Sequence, residues 1–320
     1  MKDYPAYLET YKSGKLKKVA SALFDSLESC AICPRLCSLN RLENKNGFCK
    51  TGKLAKVYSF MAHHGEEPPI SGKNGSGTIF FSHCNMSCVY CQNYEFSQLG
   101  KGREYTIDQL AEVMLNLQSL GCHNINLVTP THVLPQILMS LELAVAKGLK
   151  IPLVYNTSGF ELAETIKLLD GIVDIYLADM RYADSAISQK LSKAVSYPQC
   201  NRAAIKEMYR QVKDAKFDAA GLMQRGLIIR HLVLPNHCSG TDEIMQFIAK
   251  EISEDAYISL MSQYLPYYEA SGYFEISRRL KAEEYEQAKK ILEKYNLSNG
   301  WIQESYGEER FAGVNILEPS

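Results

Sequence analysis

Apolar residues along this chain fall into two alternating patterns. Short, nearly continuous apolar runs occur near residues 78–82, 125–129, 151–155, 172–177, 227–234 and 256–261. Continuous rather than every-other-residue apolar character is the mark of parallel strands covered on both faces. Between these runs, apolar positions recur at helical spacing. Ile107, Leu110, Met114, Leu117 and Leu120 form one stripe that opens on Thr106-Ile107-Asp108-Gln109 and stops at Gly121. The opening reads as a capping box and the glycine as a C-terminal stop. A second stripe runs through Leu134, Ile137, Leu138, Leu141 and Val145 to Gly148, and helices are also expected over about 161–169, 200–212 and 242–251. Strict strand–helix alternation predicts parallel strands joined by right-handed crossovers. Six units are fewer than the eight of a closed barrel, so the expected fold is α/β, an open partial (β/α)6 barrel over residues 76–265. On such a scaffold the chemistry belongs to the loops after the strands.

The flanks read differently. Residues 1–75 form an expected N-terminal extension, with a lysine-rich opening, a short helix over 19–27 and four cysteines. Residues 266–320 hold a helix stripe of Tyr285, Ala288, Ile291, Leu292 and Tyr295 ending at Gly300, then a tail over 301–320 expected to be irregular, a lid or a dock for that helix. Of the 320 residues, 46% are hydrophobic, enough for a sizeable core, and the net charge of -1 gives no electrostatic case for a nucleic-acid partner. No apolar run approaches membrane-spanning length, and Met1-Lys2-Asp3-Tyr4-Pro5 lacks the apolar core of a signal peptide. Ten cysteines, seven of them in two groups, read as metal ligands in a reducing cytoplasm rather than as disulfides.

The sharpest chemistry lies in Cys84-Asn85-Met86-Ser87-Cys88-Val89-Tyr90-Cys91, directly after the first apolar run. Three thiolates at this spacing reach three separate iron corners of a cubane iron–sulfur cluster. Such clusters ordinarily take four cysteines, so three leave one iron open to bind something else. An open position is what separates a catalytic metal site from a structural one.

This motif, with Tyr90 as the aromatic residue before its last cysteine, resembles the radical S-adenosylmethionine superfamily. The resemblance implies a 4Fe–4S cluster on Cys84, Cys88 and Cys91 whose open iron chelates S-adenosylmethionine. It also implies reductive cleavage to a 5′-deoxyadenosyl radical that abstracts hydrogen, with an electron supplied by a carrier such as flavodoxin or ferredoxin. Beyond the cysteines, residues 63–72, 75–82, 154–159 and 230–235, together with Val128-Thr129-Pro130-Thr131-His132 and Asp174-Ile175-Tyr176-Leu177, are similar to one subgroup. These are the radical proteins related to the pyruvate formate-lyase activating enzyme. That likeness implies an oxidoreductase whose substrate is a protein glycine. Modification of a peptide or small molecule is the alternative, and an iron–sulfur electron-transfer module is the non-enzyme reading.

Several positions carry over singly. Asp179-Met180-Arg181 resembles the Asp-x-Lys that contacts S-adenosylmethionine in activating enzymes, with Arg181 replacing a compact ammonium by a planar fork. Asn156 offers amide groups to the cofactor or serves as a turn residue. Tyr90, Asn156, Asp179 and Arg181 are therefore the expected cofactor-binding residues. Thr129-Pro130-Thr131-His132 replaces the family's usual Gly-Gly-Glu segment. Arg230 and His231 must point to opposite faces of a strand, so only one enters the barrel. Glu66 and Glu67 either orient a ligand or make loop salt bridges, Gln263 and Tyr264 lie where they could face the cavity, and His132 either lines the site or caps a helix. Cys30, Cys33, Cys37 and Cys49 make a complete set of four, suited to a closed second site holding zinc or an auxiliary iron–sulfur cluster. Cys122, Cys200 and Cys238 are isolated and read as core or loop thiols.

Overall fold

The computed structural model describes residues 4–302. Its strands are β1 (Ala55–His63), β2 (Ser76–Phe81), β3 (Arg103–Tyr105), β4 (Ile125–Val128), β5 (Leu153–Thr157), β6 (Ile175–Asp179), β7 (Lys216–Phe217), β8 (Met223–Leu232), β9 (Tyr257–Met261) and β10 (Gly300–Ile302). They order as β10-β9-β8-β6-β5-β4-β2-β1-β3, with β7 antiparallel on β8. The run β2, β4, β5, β6, β8, β9, β10 is parallel throughout. β1 and β3 add an antiparallel edge. The sheet is open and mostly parallel, a partial barrel, and all six expected core strands are in it.

Several elements differ from the sequence reading, and three of them are instructive. β1 lies inside the expected extension but pairs with β2, the first barrel strand. Only Ala55 and Val57 of β1 are fully buried, so it shows no continuous apolar run. The helix Ser185–Ser192 was not expected. Asp184 caps it, its Oδ1 accepting from the Ile187 N–H at 2.8 Å, and it ends on left-handed Lys193 instead of a glycine. Trp301, placed in the irregular tail, instead sits in β10 beside Ser259 of β9; the tail from 303 onward lies outside the described residues.

Strand alternation separates two faces. Ile125, Leu127, Tyr155, Tyr176, Ala178, Leu227 and Ile229 face outward into the main core with the surrounding helices. Val154, Ile175, Leu177, Met223 and Ile228 face inward and form an apolar floor with Ile70. Above the floor the inner face turns polar at Asn126, Asn156, Asp179 and Arg230. One side chain reports the curvature: the Glu66 carboxylate accepts from Asn126 on β4 and from Arg230 on β8. Those strands are three places apart, at about 4.8 Å per place in a flat sheet. A single carboxylate bridges them because the sheet curls around it.

The N-terminal residues pack along the outside of this barrel. At the floor, the Ala6 N–H donates to Asp174 Oδ1 (2.8 Å) and the Tyr7 hydroxyl to the Ile151 carbonyl (2.7 Å). The helix Lys15–Asp25 follows, slightly earlier than expected, and buries Leu16, Ala20 and Leu23 in the main core. The cysteine segment then reaches the rim, where Thr165 donates to the Ile32 carbonyl (2.9 Å). Among the described residues no helix is long and apolar enough to cross a membrane.

Candidate active site

The loop after β2 holds the three-cysteine motif by its backbone. His83 turns the chain out of the strand in the left-handed region (φ +70), its N–H on the Phe96 carbonyl (2.8 Å). The Ser87 and Val89 N–H groups donate to the carbonyls of Ser192 (3.1 Å) and Leu191 (2.9 Å), and Asn85 Nδ2 donates to the Phe160 carbonyl (2.7 Å). Cys84, Cys88 and Cys91 share one cluster with Met86, Val89 and Tyr90. All ten cysteines are free.

Each thiol of the motif has a polar neighbour. The Met86 N–H donates to Cys84 Sγ (3.3 Å) and the Ser192 hydroxyl to Cys88 Sγ (3.0 Å), while Ser97 Oγ lies 3.1 Å from Cys91 Sγ. Tyr90 and Tyr182 share a hydrogen bond between hydroxyls (2.6 Å), and Tyr182 pairs with Ser192 Oγ (2.6 Å). A relay Tyr90–Tyr182–Ser192–Cys88 therefore ends on the middle cysteine. Burial pushes the Cys84 thiol well up and the Cys91 thiol to about 11, with Cys88 adding to both. Metal binding must expel those protons, and the donors that face the sulfurs suit thiolates once it has. Among the described residues no three His, Cys, Asp or Glu side chains converge as they would on a single ion. A cubane asks for a different arrangement, thiolates spread over separate iron corners. The donor set fits a cluster of that kind.

Beside the cysteines lies a charged network on the inner face. Arg181 Nη1 approaches Cys88 Sγ (3.9 Å), and its Nε and Nη2 grip Asp179 Oδ2 at 3.1 and 2.5 Å. Register sets Asp179 beside Arg230 on the next strand, and Arg230 Nε donates to Asp179 Oδ1 (2.7 Å). Arg230 Nη2 donates to Asn156 Oδ1 (2.7 Å), and Asn156 Nδ2 donates to Glu66 Oε2 (2.9 Å). Asp179 and Asn156 are nearly dry, each 4% exposed, while the Arg181 side chain keeps 26% of its surface and Arg230 16%. Burial alone would raise the Asp179 carboxyl, but the guanidiniums of Arg230 and Arg181 outweigh it and hold it below its ordinary range. Glu67 goes the other way, because burial and the neighbouring Glu66 exceed the pull of Arg230. Asn126 Oδ1, Ser158 Oγ and Ser259 Oγ are buried with no hydrogen-bond partner in the protein. These orphaned atoms give a polar ligand groups to meet, so the inner face fits an amino-acid-bearing cofactor.

Arg230 is thus the member of its pair that enters the barrel. His231 points outward, its Nδ1–H donating to the Met180 carbonyl (2.7 Å) and its Nε2 accepting from Thr241 (3.0 Å), and burial lowers it to about 4. Glu66 joins the inner network rather than a surface loop. Tyr264 packs edge-on to Tyr90 with centroids 5.7 Å apart, while Gln263 is exposed. Thr129 follows β4 in the left-handed region (φ +57), a genuine outlier for a β-branched residue and one located on the rim. His132 is buried under the rim with its Nε2–H on the Ser82 carbonyl (2.8 Å). Cys30, Cys33, Cys37 and Cys49 line one common cavity. Tyr182 and Ser192 escaped the sequence reading. Neither has a local signature, and only the unexpected helix Ser185–Ser192 brings Ser192 to Cys88.

Comparisons with known proteins follow the same line. The family model described as the Radical SAM superfamily matches residues 78–248, more than half of the chain. The chain is 33% identical over 300 residues to the uncharacterized protein MJ0674 of Methanocaldococcus jannaschii, covering 91% of this chain and 82% of that protein. Among solved structures, the FeFe-hydrogenase maturase HydG from Carboxydothermus hydrogenoformans superposes with a TM-score of 0.47 at 12% identity, over 69% of this chain and 50% of that one. Methylornithine synthase (PylB) gives 0.42 at 14% identity, over 70% of this chain and 63% of its own. The chain therefore spans about half the length of HydG. The three-cysteine loop, the open parallel barrel beneath it and the family match across both make this chain a member of the radical S-adenosylmethionine superfamily.

Proposed function

We propose that this chain reductively cleaves S-adenosylmethionine and uses the resulting radical to abstract hydrogen from a glycine of a partner protein, as activating enzymes do. The observation that carries the reading is Arg181, which joins Cys88 to Asp179 and so links the cysteine loop to the charged inner face. Cys84, Cys88 and Cys91 hold the 4Fe–4S cluster. When bound, cluster and cofactor together supply one electron, a broken carbon–sulfur bond and a 5′-deoxyadenosyl radical.

The chain's own residues do the rest. Asp179 and Arg181 bind the cofactor's charged end, fixed in place by Arg230. Asn156 presents amide groups from β5, and Tyr90 closes the wall behind the cysteines. The strained backbone at Thr129 offers carbonyls where the family's usual Gly-Gly-Glu segment would stand. The buried loop and its aromatic lining exclude water from the reacting centre. Support for a peptide substrate comes from Asn126 Oδ1, a buried acceptor with no hydrogen-bond partner in the protein, which suits a peptide N–H. A flavodoxin or ferredoxin is the expected electron source.

The test is anaerobic. Reconstituted, reduced protein should form 5′-deoxyadenosine from S-adenosylmethionine, and a cognate partner should acquire a protein-based radical visible by electron paramagnetic resonance. Cofactor cleavage that yields a modified peptide or small molecule without any partner radical would replace the glycine reading. No cleavage at all would remove the proposal.

A further inference from the structure

The four N-terminal cysteines lie apart from the radical motif in sequence but share a cation with it, since Arg35 acts on thiols of both sets. Cys30, Cys33, Cys37 and Cys49 line one small cavity of about 10 Å³, together with Arg35, Arg41, Gly47 and His132. That is about one water-sized space. It suits a single ion, and a cube of four irons and four sulfides would need the thiols pushed apart. The thiols surround the space without converging on it, so closing on an ion takes thiol movement within the cavity.

Two guanidiniums and no carboxylate line this cavity, although the buried Glu161 lies near enough to act on the Cys33 thiol. Arg41 is 2% exposed. It donates to Cys30 Sγ (3.5 Å) and to the carbonyls of Gly52 (3.2 Å) and His132 (2.8 Å), and its Nε has no partner in the protein. Arg35 stacks on Phe48 with its Cζ 3.5 Å from the ring centre, and its Nε donates to the Asn85 carbonyl (2.8 Å). Its Nη2 is buried without a partner. Arg35 is half-buried, with its Nη1 on the Lys193 carbonyl, whereas Arg41 is fully buried, and a buried charge with neutral partners alone is costly because desolvation is not repaid. Carbonyls and neutral thiols do not repay it here. An anion in the cavity would.

Three further features point to the same place. Leu36, Ser38 and Lys50, flanking Cys37 and Cys49, all adopt left-handed φ values (43, 51 and 52) that non-glycine residues avoid. Such strain gathers at ligand clamps. A Cβ at Gly47 would stand 2.7 Å from Cys37 Sγ, so only glycine lets the backbone approach that thiol. His132 Nδ1 is buried and unpartnered too; its ring donates to Ser82 through Nε2, which leaves Nδ1 a bare acceptor.

We propose that Cys30, Cys33, Cys37 and Cys49 bind one divalent ion, zinc by ligand chemistry, as a tetrathiolate whose double negative charge is balanced by Arg35 and Arg41. Four thiols release four protons as the ion enters, and four thiolates around a divalent cation leave a net charge of minus two. Two guanidiniums supply plus two. The ion is structural: it fixes the turn segments that aim Arg35 at Asn85, inside the radical-cluster loop.

Metal analysis tests this separately from radical chemistry. The C84A/C88A/C91A protein should carry one zinc per chain with no acid-labile sulfide. Wild-type protein, bleached of iron by oxidation and desalted, should retain the same zinc. C33S and C49S should lose it. R41M should release zinc to a chelating dye about 10–100-fold faster, the usual cost of losing a partner of the ligands, with R41K intermediate. Iron and sulfide in the triple variant would overturn the single ion, absence of metal from both proteins would overturn the site, and an unchanged release rate in R41M would overturn the charge balance.

Discussion

Strand β6 carries an aspartate at each end, and the two could hardly be treated more differently. Asp174, just before the strand at the barrel floor, is fully buried and accepts only backbone N–H groups, from Ala6 (2.8 Å) and Leu153 (3.1 Å). Burial pushes its carboxyl up to about 7, and those two bonds hold it from going further. Asp179, at the rim, is almost equally buried but lies between Arg181 and Arg230, which hold it below its ordinary range. Burial alone therefore does not set the charge of a carboxylate in this barrel. The floor supplies neutral dipoles that stitch the N-terminal segment to the sheet. The rim supplies full charges, paired and kept ionised beside the cysteine loop. One end holds the chain together and the other gathers charge next to the thiols.

The largest expected break is at the rim. Cys88→Ala should leave no measurable 5′-deoxyadenosine, because two thiolates cannot hold the cluster in register. Normal cleavage by that variant would sink the assignment of the site. Asp179→Asn comes next. It leaves the guanidiniums of Arg181 and Arg230 facing each other without their anion, at a cost of about 3–5 kcal/mol in stability. Affinity for S-adenosylmethionine should fall with it while iron content stays near wild type, as read by calorimetric titration and metal analysis. Because the folded Asp179 carboxyl is lowered, its stabilisation is present above its ordinary range and lost as pH falls. The variant should therefore lose less than wild type on acidification.

At the floor the sign reverses. The raised Asp174 carboxyl keeps its proton in the folded chain where the unfolded chain has lost it. Its contribution is full below about pH 4 and declines by a few kcal/mol as pH rises to about 7. Asp174→Asn should flatten that part of the stability profile and leave cofactor affinity alone. Thermal denaturation across that window checks it, and equal slopes in both proteins would show the carboxyl to be unperturbed. The smallest effect is expected at the relay to Cys88. Tyr182→Phe takes a hydrogen-bond partner from Tyr90 and from Ser192, which keeps Cys88, and should cost about 1–3 kcal/mol. A shift in the cluster's reduction potential should accompany it, since hydrogen bonding toward the sulfurs tunes that potential. A stability loss with no shift would make the relay structural only.

Much of this was legible before any fold was seen, for reasons that are local. Thr106 and Gln109 cap each other as their spacing predicts, at 3.2 and 3.0 Å, because a capping box involves only four consecutive residues. The six core strands announced themselves because both of their faces are covered. β1 did not, because, flanked only by the short edge strand β3 on its outer side, it keeps half-exposed positions and shows no such run. Its alternation from Ala55 to Val57 was the available signal, too short to stand out beside a cysteine-rich loop. The three-cysteine loop was legible because its ligands lie within eight residues.

What the sequence by itself determined is therefore the set of elements, their parallel alternation and the thiols that can meet iron, since periodicity and short spacings encode faces and local ligand sets. It could state that only one of Arg230 and His231 enters the barrel. Which one enters was decided by the tertiary structure, where Asp179 on the neighbouring strand and Glu66, 164 residues away, supply the counter-charges. The same holds for Ser192 on Cys88 and for Arg41 against the N-terminal cysteines. Charge pairing acts through space at a few ångströms, and only the curl of the sheet and the path of the chain around it bring those partners within that range.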